Sequence, residues 1–248
     1  MEPGERSFSL GELSWVDVAA HLARDTRLIV PVGALEQHGP HLPLGTNLLI
    51  ARRIAFDLSH EFGVLRAPTF SYGANIEAGR SFAGTAALGR KTLHRAFNEL
   101  LGDWERHGIT EFIIITAHRH APFLEALATL LTYRARVRVI DVWDADISHL
   151  LEEQDRPLHA DEAETSLMLY LYPDLVRMDR ARDLPVDAAG IRNPARGAAP
   201  TPPPWSAGAL GHPTAATPEK GERIYHAILD AIRDAVFVVP AEEESDTL

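Results

Sequence analysis

Val32-Gly-Ala-Leu-Glu36-Gln-His38-Gly-Pro-His41-Leu-Pro-Leu-Gly-Thr-Asn47-Leu-Leu49 is the stretch whose reading decides the fold. It follows an apolar run, Leu28-Ile-Val-Pro-Val32, with the character of a buried strand. It leads into helical spacing of Leu49, Ile50, Ile54 and Leu58, with Thr46 as the expected cap and an end near Phe62. Between strand and helix, glycines and prolines hold a turn that carries Glu36, His38 and His41. The carboxyl end of a strand is where an open α/β sheet places its chemistry. A carboxylate two residues from an imidazole suits a metal ion there.

Outward from this stretch, strands and helices alternate. Ser14 caps a short helix to about Ala23, and Val64 to Ala67 is a strand candidate. Ser71 to Leu88 is a glycine-containing loop with little periodicity, long enough to be functional. A helix is expected from Arg90 to His107, stopped by Gly108, then a buried strand, Glu111 to Ala117, running directly into His118-Arg-His120. Helical spacing from Pro122 to Ala135 precedes a further strand, Val137 to Val142. Asp161 to Tyr172 and Pro218 to about Val236 complete the helices. The Pro/Ala/Gly-rich segment 185–205 reads as an extended loop, and the acidic tail 241–248 as frayed. Alternation of this kind predicts a mostly parallel sheet covered on both faces, in one domain spanning 1–248.

Composition narrows the function. The chain has 248 residues, 46% of them hydrophobic, and a formal net charge of −11, which argues against a nucleic-acid partner. No apolar run is long enough to predict a membrane span, and no signal peptide is read at the N-terminus, so a cytoplasmic location is the expectation. There is no cysteine, so any metal must be held by His, Glu, Asp or Asn.

Glu36, His38 and Asn47 lie at one strand-to-helix junction, and His118 and His120 at another. In a parallel sheet such junctions converge at one edge. A single histidine is ordinarily a hydrogen-bonded core or surface residue. Two short loops at equivalent places, both rich in histidine, favour a metal site over that alternative. A third cluster, His159-Ala-Asp-Glu-Ala-Glu164, opens a helix. Capping accounts for its carboxylates but not for His159. Trp143, after the strand that ends at Val142, fits either the core or a wall for substrate.

These clusters stand in an order that resembles the creatininase (creatinine amidohydrolase) family. Pro31 to Gly39 is similar to its first metal motif, Phe82-Ala-Gly-Thr85 to a Pro-Gly-Thr loop, and Ala117-His-Arg-His120 to a second metal motif. His159 to Leu169, Tyr172-Pro-Asp-Leu-Val176, Gly11-Glu-Leu-Ser-Trp15 and Glu219-Lys-Gly-Glu222 extend the likeness over nearly the whole chain. The resemblance implies a three-layer α/β/α fold and a homo-oligomer, a hexamer. It also implies two divalent ions sharing a bridging aspartate, with a metal-bound water attacking a C–N bond of an amide. Carried over, Glu36, Asn47 and His118 would hold one ion, and His38, Asn47 and His120 the other. His159 would be the proton shuttle, Glu164 its supporting acid, and Trp143 part of the substrate lining.

Two of these positions depart from creatininase itself. Asn47 stands where the bridging aspartate is expected, and His120 where creatininase has a glutamate. Three carboxylates facing two dications become one, Glu36. A neutral amide oxygen offsets the repulsion between two nearby dications poorly. One ion held by Glu36, His38 and His118, with His120 as a further donor, matches the charge better, and this donor set suits zinc, iron or manganese. The expected substrate is a small cyclic amide or a short peptide. Creatinine itself is not expected, because loop 74–83 is this chain's own; Glu77, Arg80 and Phe82 there are candidate substrate contacts. The alternatives are a different reaction on the same scaffold, such as a lyase, cyclase or mononuclear-iron activity, and a non-catalytic paralogue.

Overall fold

A computed structural model describes residues 7–74, 82–186, 202–203 and 205–237. Glu77, Arg80, most of segment 185–205 and the tail 241–248 lie outside the described residues. The elements, in chain order, are α1 (Trp15–Leu22), β1 (Arg27–Val32), α2 (Thr46–Phe62), β2 (Leu65–Arg66), α3 (Arg90–Arg106), β3 (Glu111–Thr116), α4 (Ala121–Ala128), β4 (Arg136–Asp141), α5 (Glu162–Leu171) and α6 (Pro218–Ile232). A π-helical turn, Arg233–Phe237, continues α6.

The four strands are all parallel, in the order β2-β1-β3-β4. Alternation along each strand divides the core. Leu28, Val30, Val32, Phe112 and Ile114 pack with Leu93, Phe97 and Leu101 of α3 and Phe123 and Leu127 of α4. Ile29, Ile113 and Ile115 belong to the opposite face, with Ile50 and Ile54 of α2, Leu167 and Met168 of α5 and Ile224 and Ile228 of α6. This is the three-layer α/β/α arrangement. α5 and α6 approach closely at Gly221, where a Cβ would sit 1.9 Å from the Ser166 carbonyl oxygen, so no larger residue fits. Register places Val32 beside Thr116 and Thr116 beside Asp141, so three strands end level and their following loops meet.

Two local expectations are corrected. Thr46 does not cap α2: Gly45 occupies the cap, and the Thr46 hydroxyl donates back to Pro43 O at 2.8 Å. Asn47 therefore lies in the first turn of α2, at the sheet edge where the strands end. The helix expected to reach Ala135 stops at Ala128. Beyond it, side chains of α3 capture the backbone: Asn98 Oδ1 accepts from Leu131 N, and the Glu105 carboxylate accepts from the N–H groups of Tyr133, Arg134 and Ala135. These tertiary partners outweigh the helical propensity of the segment.

Candidate metal centre

The β1 loop, the first turn of α2, the β3 loop and the entry to α5 bring Glu36, His38, Asn47, His118, His120, His159 and Glu164 together. All are buried. Ligand atoms of Glu36, His118 and His120 lie within 4.8 Å of one another, as do those of Glu36, His38 and His159. Glu36 is common to both sets.

Hydrogen bonds orient each imidazole. His38 Nδ1 is 3.0 Å from the carbonyl oxygen of Glu36, which can only accept, so Nδ1 carries the proton and Nε2 the lone pair. That lone pair faces Asn47 Oδ1 at 3.3 Å and Glu164 Oε2 at 3.7 Å. Asn47 Nδ2, a donor, is 3.0 Å from His118 Nδ1, which puts a lone pair there too. Glu36 Oε2 lies 3.2 Å from that same Nδ1 and has no hydrogen-bond partner. Glu36 Oε1 is 3.4 Å from His120 Nε2, and the His118 and His120 rings stack with centroids 4.7 Å apart. Acceptor atoms of Glu36, His38 and Asn47 thus converge in a buried site, with Glu36 Oε2 lacking a donor. A cation would supply the missing charge, and the residues fit one.

Protonation agrees. Burial, then the neighbouring His118, holds the His120 pKa down at about 4. Burial and then His38 hold His159 down at about 3, and burial lowers His38 as well. Neutral imidazoles are the form that ligates metal. Burial pushes the Glu36 carboxyl up, and only positive charge beside it, at His118 first and then at His120 and His159, outweighs burial and holds the pKa well below the usual range, so the carboxylate is stabilised where a cation faces it. Burial, reinforced by Asp161, raises the Glu164 pKa well above the usual range, although Glu164 Oε2 accepts from Ala160 N at 2.6 Å. Ala160 holds φ +50°, a left-handed backbone uncommon outside glycine, between His159 and the α5 cap Asp161.

His159 Nε2 is 3.0 Å from both the backbone oxygen and the side-chain Nε2 of Gln37. Gln37 Nε2 also donates to Gly208 O at 2.9 Å, Gln37 Oε1 accepts from Gly39 N, and Gln37 N donates to Thr85 Oγ1. A Cβ on Gly208, itself at φ +92°, would lie 2.0 Å from Gln37 Oε1. Sequence reasoning passed over Gln37, since nothing but its place between two candidate ligands marks it. Trp143 is 4% exposed, packs in the core, and spends its indole N–H on Ala117 O at 2.9 Å. Of its two expected places, the core is the one described. Phe82 is half-buried, with its carbonyl accepting from Thr85 N. His41 is buried nearby, its Nε2 2.9 Å from Thr165 Oγ1, and belongs to neither ligand set.

An α/β/α scaffold thus carries a buried, histidine-rich cluster with a carboxylate at the carboxyl edge of a parallel sheet, a donor set suited to a metal ion. The family model described as creatinine amidohydrolase matches residues 11–236, and the chain belongs to the creatininase family. It is 30% identical over 259 residues to a creatinine amidohydrolase of Pseudomonas putida, covering 93% of this chain and 96% of that protein. It is 31% identical over 222 residues to a mycofactocin precursor peptide peptidase of Mycolicibacterium smegmatis, covering 84% and 83% respectively. A crystal structure of creatinine amidohydrolase (creatininase) superposes with a TM-score of 0.79 at 29% identity, covering 93% of this chain and 97% of that one. Family and relatives support metal-dependent hydrolysis of an amide-type C–N bond. Among the described residues, no helix is long and apolar enough to cross a membrane.

Proposed function

We propose that this chain hydrolyses a C–N bond in a small cyclic amide or a short peptide. One divalent ion, zinc, iron or manganese, would be held by Glu36, His38 and His118, with His120 as a further donor. The observation that carries this reading is the buried Glu36 Oε2, without a hydrogen-bond partner and facing the His118 Nδ1 lone pair at 3.2 Å. When bound, such an ion supplies Lewis acidity and brings the pKa of a coordinated water towards neutrality. Relatives support the substrate class: one is named for creatinine and another for a precursor peptide.

The chain's own residues account for the proton traffic. His159 stands beside Glu36 and His38 as the proposed proton shuttle, taking a proton from the attacking water and returning it to the leaving nitrogen. Gln37 fixes its ring. Glu164 stands behind His38 as its supporting acid and accepts from the Ala160 amide, and burial raises its pKa well above the usual range. Burial of the cluster excludes bulk water from the reacting groups. Glu77 and Arg80, with Phe82, are proposed to meet the substrate from loop 74–83. A single domain over 1–248 and a cytoplasmic location are part of the reading, and a homo-oligomer, a hexamer, is added on the strength of the family.

Metal content per chain after reconstitution, measured by plasma mass spectrometry, tests it. A value near one supports the single-ion site. A value near two assigns ligation to Asn47 and His120 on both sides and restores the dinuclear arrangement. A value near zero with every metal tried overturns the reading in favour of a non-catalytic paralogue.

A further inference from the structure

His118 and His120 flank a residue whose guanidinium is engaged with the end of a neighbouring strand. Arg119 Nε donates to Asp141 Oδ2 at 2.7 Å, and its Nη2 donates to Asp144. Asp141 is the last residue of β4, in register with Thr116, the last of β3. Its second oxygen accepts from Trp143 N at 3.1 Å, and the Trp143 indole in turn donates to Ala117 O. The residues on either side of His118 are therefore both tied to the end of β4, one by its carbonyl and one by its side chain. A third tie, His118 N to Thr116 Oγ1 at 3.0 Å, holds His118 to its own strand. The Asp141 carboxylate is 7% exposed, so its attachment to Arg119 is sheltered from water and salt.

We propose that Arg119 and Asp141 are positioning residues of the metal centre, bracing the His118-Arg119-His120 arm against β4 so that both imidazoles face Glu36. The inference rests on the reading that these histidines hold an ion. The near-parallel His118 and His120 rings, 15° apart, sit on a stretch with no helix or strand of its own up to the α4 cap at His120, so the backbone that carries them depends on what anchors it between them. An arginine is suited to the task because its planar fork engages two carboxylates at once, whereas a lysine offers a single point charge. The brace also gives Trp143 a role: its indole fixes the Ala117 carbonyl at the root of the arm.

Removing Arg119 alone would strand the buried Asp141 charge, so the informative variant is the pair Arg119→Met with Asp141→Asn. Zinc affinity is measured by calorimetry against a competing chelator, and visible absorption of the Co2+-loaded protein reports ligand geometry. With far-UV circular dichroism unchanged, the paired variant should lose about tenfold to a hundredfold in zinc affinity, the range for residues that orient metal ligands, and should alter the Co2+ spectrum. Arg119→Lys should fall between it and wild type, and Asp144→Asn, on the exposed arm of the fork, should stay close to wild type. An unchanged affinity and Co2+ spectrum in the paired variant overturn the brace. If that variant does not fold, Arg119→Lys decides: equality with wild type in both readouts overturns the proposal, and a partial loss with a shifted spectrum supports it. Wild-type protein that binds neither zinc nor Co2+ overturns the metal-site reading and the brace with it, whereas binding by wild type and variants alike overturns the brace alone.

Discussion

Replacing Glu36 by glutamine should move stability and metal binding in opposite directions. Glu36 is 1% exposed, and its Oε2 has no hydrogen-bond partner and lies 3.2 Å from His118 Nδ1. Leaving a buried acceptor unsatisfied costs about 1–3 kcal/mol. A glutamine of the same shape carries no charge and has an N–H that His120 Nε2, 3.4 Å from this carboxylate, can accept, so the metal-free variant should recover most of that cost. For a chain of this size about 1 kcal/mol corresponds to roughly 2–4 °C in Tm, so the metal-free variant should melt about 2–12 °C above metal-free wild type. Metal reverses the order. At a hundredfold excess of free zinc over Kd, wild type gains about 2.7 kcal/mol, or roughly 5–11 °C at the same conversion. The variant, lacking the one carboxylate shared by both ligand sets, should show little of this gain. Differential scanning calorimetry with and without zinc reads both effects. A metal-free Glu36→Gln protein that melts below wild type yet keeps the full zinc shift would refute the argument, because Glu36 would then be an ordinary structural acid.

The other expectations concern individual side chains. His118→Ala should weaken zinc binding far more than His41→Ala, since His41 lies in neither ligand set; equal losses would sink the site assignment. Asn47→Asp should raise the metal stoichiometry towards two per chain, and an unchanged value would count against a missing bridge. His159→Ala should keep the metal and lose activity, while a fall in stoichiometry would make His159 a ligand, as its grouping with Glu36 and His38 allows. Burial, then the neighbouring His38, holds the His41 pKa down at about 4, below its unfolded value. The unfolded chain therefore binds the extra proton between about pH 6.5 and 4, and His41 destabilises the fold as pH falls through that window. His41→Gln should flatten the decline by up to about 1.4 kcal/mol per pH unit, read from urea midpoints across the window; parallel curves for variant and wild type would contradict the shift.

Much of this molecule is legible from local pattern. The apolar runs at 28–32 and 111–117, the helical spacing after Thr46 and the Ser14 and Gly108 signals all correspond to elements, because burial periodicity and capping act over a few residues. The α/β alternation and the convergence of the Glu36 and His118 loops also follow from sequence, since parallel strands joined by helices must end on one edge. Partners distant in sequence are what local pattern does not encode. The end of α4 at Ala128 depends on Asn98 and Glu105 of α3 taking the following backbone. The placement of Trp143 in the core rests on the Ala117 carbonyl, and the orientation of His159 rests on Gln37, 122 residues away.

Sequence alone thus determined which side chains are present: Glu36 with four histidines, an asparagine and Glu164 around it, and no cysteine. Tertiary structure decided how they face one another, with Glu36 shared between two ligand sets and its Oε2 left without a proton to accept. The physical reason is that donor chemistry and charge belong to residue identity, whereas lone-pair direction and burial are set by hydrogen bonds between loops that meet only when the sheet forms.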